Sequence, residues 1–179
     1  IDHEDVEGLL IGKCYIQPKI DGTNASIWLH EDGTIHCGSR SRDLGNPEQQ
    51  KENDNFGFRN EFLKNNYDKF LKFFEKYPNY RLYGELLVHH TVNYRPEAWK
   101  RFYVFDVTRE EGEIFEYLSY ESYLPMLEEF GIDYIPVQTI IINPTIEQLI
   151  EKELTKNTFL MPDGEIGEGI VIKNYEFKN

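Results

Sequence analysis

Apolar and polar residues alternate through the N-terminal part of the chain, which predicts short β-strands joined by tight turns. Gly12–Gln17 and Asn24–His30 alternate with the two-residue period of a strand, and an Asp-Gly-Thr turn lies between them. A second turn at Glu31–Gly33 leads into a shorter strand at Thr34–Gly38. These segments predict consecutive antiparallel strands.

The remaining chain predicts helices interleaved with further strands. Ser39–Asn55 is polar and is predicted to be a loop. From Phe56 to Tyr77 apolar residues recur at spacings of 3 and 4, the pattern of an amphipathic helix, and Pro78 ends it. Further strands are predicted at Tyr80–Val88, Arg101–Val107, Tyr134–Ile142 and Gly169–Lys173, and further helices at Ser119–Phe130 and Thr145–Leu154. The sequence therefore predicts one α+β domain over residues 1–179, with antiparallel strands packed against a few helices.

The composition is that of a packed globular protein. Of 179 residues, 40% are hydrophobic and 15% aromatic, and 12 Tyr with 12 Phe favour sheet-rich structure. No apolar run is long enough to cross a membrane and no signal-peptide pattern opens the chain, so we expect a cytoplasmic protein, cellular or viral, without a membrane partner. The two cysteines, Cys14 and Cys37, are expected to be buried unpaired thiols in a reducing compartment.

The net charge of −13 argues against a nucleic-acid partner, because phosphate contacts require Lys and Arg. The distribution of charge weakens that objection. Residues 108–168 contain 14 acidic and 3 basic residues, so the rest of the chain carries only −2 and holds 16 of the 19 bases. Charge alone therefore neither indicates nor excludes such a partner.

The stretch QPKIDGTN, Gln17 to Asn24, carries the first candidate chemistry. Gln17, Lys19 and Asp21 share one face of a strand, and Gly22 lets the chain turn and a ligand approach the backbone. A lysine is a covalent nucleophile only as its neutral amine. A nearby metal ion favours that neutral form, whereas a carboxylate alone would favour the charged form. Asp21 is therefore better suited to hold a metal than to pair with Lys19. Taken alone, however, such a string more often marks a surface lysine before an ordinary turn.

Four later stretches carry side chains that suit a nucleotide. Glu85 interrupts an apolar strand, where a carboxylate requires solvent or a hydrogen-bonded ligand such as a ribose hydroxyl. The aromatic strand Phe102–Asp106 offers either core rings or a stacking platform for a purine. Ser39–Asp43 contains two arginines suited to phosphate or sugar contacts. Glu168–Lys173 brackets an apolar strand with an acid and a base.

In the order KIDGTN, SRSRDLG, YGELL, FYVFDV and EGIVIK, these stretches resemble motifs I, Ia, III, IIIa and IV of the covalent lysine nucleotidyltransferase superfamily. That superfamily holds ATP-dependent DNA ligases, RNA ligases and mRNA capping enzymes. Asn24 stands where DNA ligases and capping enzymes usually carry Arg, so the chain is similar to the RNA ligase branch of nick-sealing and editing enzymes. The resemblance spans Lys19–Lys173 and implies an antiparallel-sheet adenylation domain and a role in RNA repair.

The resemblance implies that Lys19 attacks the α-phosphate of ATP, releases pyrophosphate and carries AMP through a phosphoramidate bond. AMP then passes to an RNA 5′-phosphate, and a 3′-hydroxyl displaces it to seal the phosphodiester. Asp21 and Glu168 would hold Mg²⁺ or Mn²⁺, and Asn24 would contact the nucleotide or assist sealing. The implied partners are ATP and RNA with 5′-phosphate and 3′-hydroxyl ends.

A second set of residues is implied to bind the AMP moiety. Phe105 would stack on one side of adenine, with Tyr103 as its rival on the same predicted strand face, and Val171 would pack on the other side. Gln17 is expected at the adenine amino edge, because it lies two residues before Lys19 on the same face. The other expected contacts are Gly22 through its backbone, Arg40 or Arg42 at the ribose or the RNA end, Glu85 at the ribose hydroxyls, and Lys173 near a phosphate. Glu168 is expected just before the last strand, since five residues separate it from Lys173 and a regular strand would set them on opposite faces.

Two rival interpretations remain, and one expected motif is missing. Relatives also carry motif V, a Lys-x-Lys pair beyond motif IV, but only Lys178 precedes the final Asn179, so the adenylation domain is expected to be truncated before it. The rivals are a DNA ligase or capping-type nucleotidyltransferase, and a non-catalytic module that binds nucleotides or RNA ends. His89-His90 is expected to be structural or solvated rather than a metal site. The sequence does not indicate the oligomeric state.

Overall fold

A computed structural model describes residues 8–49, 53–88 and 92–177. The strands are β1 (Lys13–Lys19), β2 (Thr23–Leu29), β3 (Ile35–Gly38), β4 (Asp43–Gly45), β5 (Tyr80–Leu86), β6 (Phe102–Glu111), β7 (Ile114–Tyr117), β8 (Thr139–Ile142) and β9 (Gly169–Lys173). The helices are α1 (Lys64–Lys76), α2 (Tyr120–Glu129) and α3 (Ile146–Gln148), with π-helical turns at Phe58–Leu63 and Leu149–Glu153 and 3-10 turns at Pro96–Ala98 and Leu154–Lys156.

These elements form two compact units. Unit 1 comprises Ile1–Asp21, His90–Glu97 and Ile135–Asn179, and unit 2 comprises Gly22–His89 and Ala98–Tyr134. The α+β class, with antiparallel sheets and few helices, is confirmed. His89, His90 and Lys178 lie outside the described residues.

Unit 1 is built on a three-stranded antiparallel sheet in the order β8-β1-β9. Alternation along β1 divides its side chains between two faces. One face packs Cys14 and Ile16 against Leu149 to form the core of the unit. The other face carries Gln17 and Lys19, so β1 places the motif I lysine at the strand end, on the face opposite the core.

Unit 2 is built on a six-stranded antiparallel sheet in the order β4-β3-β2-β5-β6-β7. One face of the sheet packs against helices α1 and α2. The core includes Ala25 and Ile27 of β2, Leu82 and Leu86 of β5, Val104 and Val107 of β6, Phe70, Phe73 and Phe74 of α1, and Tyr123 and Leu127 of α2. Each large apolar side chain buried in this way contributes about 1.5 to 3 kcal/mol of transfer free energy. This core fixes the strands whose opposite face carries Asn24 and Glu85.

The structure corrects three predicted segments and adds one strand. The predicted loop Ser39–Asn55 contains β4, and the exposed strand β7 was not predicted. The predicted strand Tyr134–Ile142 is regular only from Thr139, since Pro136 lacks an amide donor and Tyr134 forms an isolated bridge to Val104. The predicted helix at Phe56 begins instead at Phe58, because Asn55, Phe56 and Gly57 all have positive φ angles.

Candidate active site

Lys19 ends strand β1 directly opposite Gly169, the first residue of β9. Directly opposed residues of an antiparallel pair point to the same face, so Gly169 lies beside the lysine. It carries no side chain there, and a Cβ atom added to Gly169 would lie 3.8 Å from Lys19 Cδ. The Lys19 side chain is 53% exposed, which leaves its amine accessible to a ligand.

Glu168 immediately precedes β9, as the sequence predicted from its spacing to Lys173. Its Oε1 atom lies 3.5 Å from Lys19 Nζ. Lys19 and Glu168, far apart in sequence, therefore meet at the end of the β1–β9 pair. A half-exposed ion pair of this kind contributes little to stability, on the order of 0 to 1 kcal/mol. Its importance is that it places a carboxylate beside the lysine amine.

Asn157 ties the two strands together behind this ion pair. Its side chain is buried, and Nδ2 donates to the carbonyl oxygen of Lys19 at 3.4 Å and also to that of Gly169. The main-chain carbonyl oxygen of Asn157 accepts a hydrogen bond from the Gly167 amide at 2.7 Å. Asn157 thus fixes the backbone at both Lys19 and the start of β9. No sequence motif marks this residue, because it is a single asparagine between predicted elements.

Asp21 follows β1 and is held by a second residue that the sequence did not indicate. The Asp21 amide donates to the hydroxyl of Tyr94 at 2.6 Å, and Tyr94 is itself buried. The Asp21 side chain is partly exposed. The backbone is therefore fixed at Asp21 while the carboxylate remains accessible from solvent.

The remaining predicted residues of unit 1 share the Lys19 face. Gln17 lies opposite Val171, and Tyr15 lies opposite Lys173, so the prediction that Val171 and Lys173 share a face holds in the β1–β9 register. Val171 is 40% exposed, which suits an apolar contact with a ligand. Gln17 is buried, and its Nε2 donates to the Ile135 carbonyl at 2.9 Å, so this donor already has a protein partner.

In unit 2, Asn24 and Glu85 lie directly opposite each other on β2 and β5. Their side chains therefore share one face of the sheet, away from the core helices. Gly22 lies close to the same strand: a Cβ atom added there would be 2.5 Å from the Leu86 carbonyl oxygen and 3.1 Å from Glu85 Oε2. Only glycine fits at this position, and it brings the backbone close to the Glu85 carboxylate.

A β-bulge in β6 sets the position of Phe105. Glu85 lies opposite Tyr103 and Tyr83 lies opposite Asp106, so β6 advances by three residues where β5 advances by two. Simple alternation does not continue through such a bulge. Tyr103 and Phe105 therefore need not share a strand face, although regular alternation of side chains predicts that they do.

Burial distinguishes the two aromatic candidates. Tyr103 is almost fully buried, and its hydroxyl donates to the Ala98 carbonyl at 3.0 Å. Phe105 is only partly buried. The exposed part of the Phe105 ring is accessible to a ligand, whereas the Tyr103 ring serves the interior of unit 2.

Arg40 and Arg42 lie in the tight turn between β3 and β4, where the Ser39 amide donates to the Arg42 carbonyl at 3.0 Å. Both arginines are exposed. Within the described residues, no hydrogen bond or ion pair involves either guanidinium. The structure therefore leaves both arginines available for an anionic ligand and does not separate them.

Two further sequence predictions concern the whole chain. Cys14 and Cys37 are buried and unpaired, as predicted, and burial raises the pKa of both thiols. Among the described residues, no helix is both long and apolar enough to cross a membrane.

The fold is similar to that of solved RNA ligases. An archaeal ATP-dependent RNA ligase superposes with a TM-score of 0.65 at 14% identity, over 97% of this chain and 42% of that one. The Naegleria gruberi RNA ligase with PPi gives a TM-score of 0.68 at 19% identity, over 98% of this chain and 50% of that one. A substituted N. gruberi RNA ligase with ATP and Mn gives a TM-score of 0.68 at 17% identity, over 97% of this chain and 50% of that one. The chain thus spans half or less of the length of these structures.

The sequence specifies the family. Residues 12–178 match the RNA ligase family, and the chain belongs to that family. A comparison with curated protein sequences finds no match.

Proposed function

We propose that this chain is the adenylation part of an ATP-dependent RNA ligase and that Lys19 is its AMP carrier. The observation that carries the proposal is the contact between Lys19 and Glu168, whose nearest side-chain atoms are 3.5 Å apart where β1 pairs with β9. Family membership supports the reaction class. The N. gruberi structures with PPi, and with ATP and Mn, support ATP and a divalent cation as ligands.

The proposed reaction has three transfers at phosphorus. The neutral Lys19 amine forms a P–N bond to the α-phosphorus of ATP, loses one proton, and pyrophosphate leaves with the electron pair of the broken P–O bond. An oxygen of an RNA 5′-phosphate then attacks the same phosphorus, the P–N bond breaks, and the lysine amine is regenerated. A 3′-hydroxyl finally attacks the 5′-phosphate, and AMP leaves as the phosphodiester forms.

Asp21 and Glu168 are the residues that we propose to hold Mg²⁺ or Mn²⁺. Both offer carboxylate oxygens, the donors that these cations prefer, and the Glu168 side chain is 40% exposed beside the lysine amine. A cation at this position would neutralise negative charge on the phosphates as each transfer proceeds. Asp21 follows the last residue of β1 and Glu168 precedes the first residue of β9, so both lie at the same end of this antiparallel pair, which supports that role.

We further propose that the partly exposed ring of Phe105 stacks on adenine and that Val171 packs on its other side. Glu85 would accept hydrogen bonds from the ribose hydroxyls, with Gly22 allowing close approach of the backbone. The other proposed contacts are Gln17 near the adenine edge, Arg40 or Arg42 at the ribose or RNA end, Asn24 at the nucleotide or in sealing, and Lys173 near a phosphate. The buried, unpaired cysteines support a reducing, cytoplasmic site of action.

Labelling with ATP radioactive at its α-phosphate tests this function. In the presence of Mg²⁺ we expect the wild-type chain to retain covalent label after denaturation and Lys19→Ala to retain none. The labelled protein is then offered nicked RNA and nicked DNA duplexes, and we expect AMP transfer to the RNA 5′-phosphate. Preference for the DNA nick would instead indicate a DNA ligase, labelling by GTP would indicate a capping enzyme, and equal absence of label in both chains would indicate a non-catalytic module.

A further inference from the structure

A second cluster of metal-ligating side chains lies on the β2–β3 hairpin of unit 2. It comprises His30 after β2, Asp32 in the turn and His36 in β3, and one ligand atom from each lies within 4.8 Å of the others. None of these residues belongs to the nucleotidyltransferase motifs. The cluster has no role in the proposed ligase reaction, and its chemistry therefore needs a separate explanation.

His36 is the buried centre of the cluster, with only 3% of its side chain exposed. Its Nδ1 atom lies 2.9 Å from Asp43 Oδ1, and its Nε2 atom lies 3.1 Å from Asp32 Oδ2. A carboxylate that accepts a proton from one ring nitrogen fixes the tautomer and leaves the other nitrogen with a free lone pair. Asp43 is therefore placed to orient His36 with Nε2 directed toward Asp32.

The turn holds Asp32 as an ionised ligand. Thr34 donates to Asp32 Oδ1 from its amide at 2.9 Å and from its hydroxyl at 2.6 Å, and these hydrogen bonds orient the carboxylate. Asn46 Nδ2 donates in turn to the Thr34 hydroxyl at 3.0 Å. Asp32 is thus a pre-oriented carboxylate, the form that binds a cation.

His30 completes the set from the exposed side. Its Nδ1 atom accepts the Asp32 amide at 3.1 Å and lies 3.3 Å from Asp32 Oδ1. Donors about 2.0 to 2.2 Å from a tetrahedral Zn²⁺ are separated by roughly 3.3 to 3.6 Å, close to the separations found here. The His30 and His36 rings are stacked nearly parallel, with their centroids 4.0 Å apart. The His30 ring must therefore rotate before both imidazoles can bind one ion. Its side chain is partly exposed, which allows that rotation.

We propose that His30, Asp32 and His36 bind a transition-metal dication of the Zn²⁺ class, with Asp43 as the outer partner of His36. Two imidazoles and one carboxylate are a donor set that such ions accept, whereas Mg²⁺ prefers oxygen ligands alone. Through Asp43 the ion would link the β2–β3 turn to the start of β4, next to the turn that carries Arg40 and Arg42. The site is independent of the proposed ligase chemistry.

Zinc titration tests this inference without nucleotide or RNA. The chain has five histidines, so all arms use a background in which His3, His89 and His90 are replaced by Ala and only the two cluster histidines remain. Calorimetry gives the stoichiometry and affinity for Zn²⁺, and the visible spectrum with Co²⁺ reports nitrogen and oxygen coordination. The variants are His30→Ala, Asp32→Asn and Asp43→Asn, with Glu31→Gln as the matched control for a neighbouring carboxylate outside the cluster.

We expect one Zn²⁺ per chain, a raised thermal midpoint, and affinity reduced at least about tenfold by His30→Ala and by Asp32→Asn. Asp43→Asn should weaken binding by about 10- to 100-fold, as loss of an outer-shell partner does, and Glu31→Gln should leave it unchanged. Absence of stoichiometric binding, affinities unaffected by these substitutions, or displacement of Zn²⁺ by millimolar Mg²⁺ would each overturn the proposal. If the His30 variant unfolds, the Co²⁺ spectrum of Asp32→Asn decides the question alone.

Discussion

Lys19 Nζ lies 3.5 Å from Glu168 Oε1, at the end of the strand pair β1–β9. Glu168→Gln retains the size of the side chain and removes its charge. Because Glu168 is proposed to hold a cation beside the nucleophile, we expect the single-turnover adenylation rate to fall by about 10- to 100-fold. Stability should change by less than about 1 kcal/mol, since the pair is half-exposed.

Glu165→Gln is the matched control for this substitution. Glu165 is an exposed acid three residues earlier in the same segment. The Glu165→Gln substitution should leave both the adenylation rate and the free energy of unfolding unchanged. Equal loss of adenylation in the two variants would show that general negative charge, rather than the position of Glu168, matters.

Asn157→Ala removes the donor that joins the Lys19 and Gly169 carbonyls. We expect a loss of about 1 to 3 kcal/mol in the free energy of unfolding, because two carbonyls lose a buried partner. As a positioning residue, Asn157 should also lower the single-turnover adenylation rate by about tenfold without changing the apparent affinity for ATP.

Asn174→Ala provides the comparison for Asn157. Asn174 Nδ2 also donates to two carbonyls of unit 1, those of Leu9 and Ile11, at 2.9 and 2.7 Å. We expect a similar cost in stability and no effect on the adenylation rate. If the two variants slow adenylation equally, Asn157 stabilises the unit without positioning Lys19.

Gly22→Ala places a Cβ atom 2.5 Å from the Leu86 carbonyl oxygen. Backbone must move to relieve that overlap, so we expect a loss of about 1 to 3 kcal/mol in the free energy of unfolding. Gly169→Ala is the control, because its nearest neighbour, Lys19 Cδ, would be at 3.8 Å, an ordinary contact. Urea denaturation should show a change below about 0.5 kcal/mol for Gly169→Ala.

Phe105→Leu and Tyr103→Leu separate the two aromatic candidates, because each removes one ring. Loss of the Phe105 ring should raise the KM for ATP by about 5- to 150-fold, the cost of about 1 to 3 kcal/mol of stacking. Tyr103→Leu removes the buried ring and its hydrogen bond to Ala98 and should cost about 1 to 3 kcal/mol of stability while KM stays unchanged. The reverse pattern in KM would assign adenine stacking to Tyr103.

Strand alternation and residue spacing predicted the two strands that carry Lys19 and flank Glu168. The apolar pattern placed β1 and β9 correctly to within two residues, and the five-residue spacing from Glu168 to Lys173 correctly set Glu168 before the strand. These features depend on the local period of the chain, which the sequence displays directly.

Features that depend on long-range contacts could not be predicted in this way. The bulge near Phe105 arises from a register shift between β5 and β6, and no local pattern marks it. Asn157 and Tyr94 are buried because their segments fold against the end of β1. The residues next to them in sequence do not indicate that long-range contact. For the same reason β4, only three residues long, was predicted as loop.

Mass spectrometry of the chain after incubation with ATP and Mg²⁺ is the most direct test of whether Lys19 carries AMP. We expect one added AMP per chain, recovered after proteolysis on the peptide that contains Lys19, and no addition in Lys19→Arg, which retains the positive charge. An AMP adduct on a different residue, or an unchanged adduct in Lys19→Arg, would contradict the assignment of Lys19 as the nucleotide carrier.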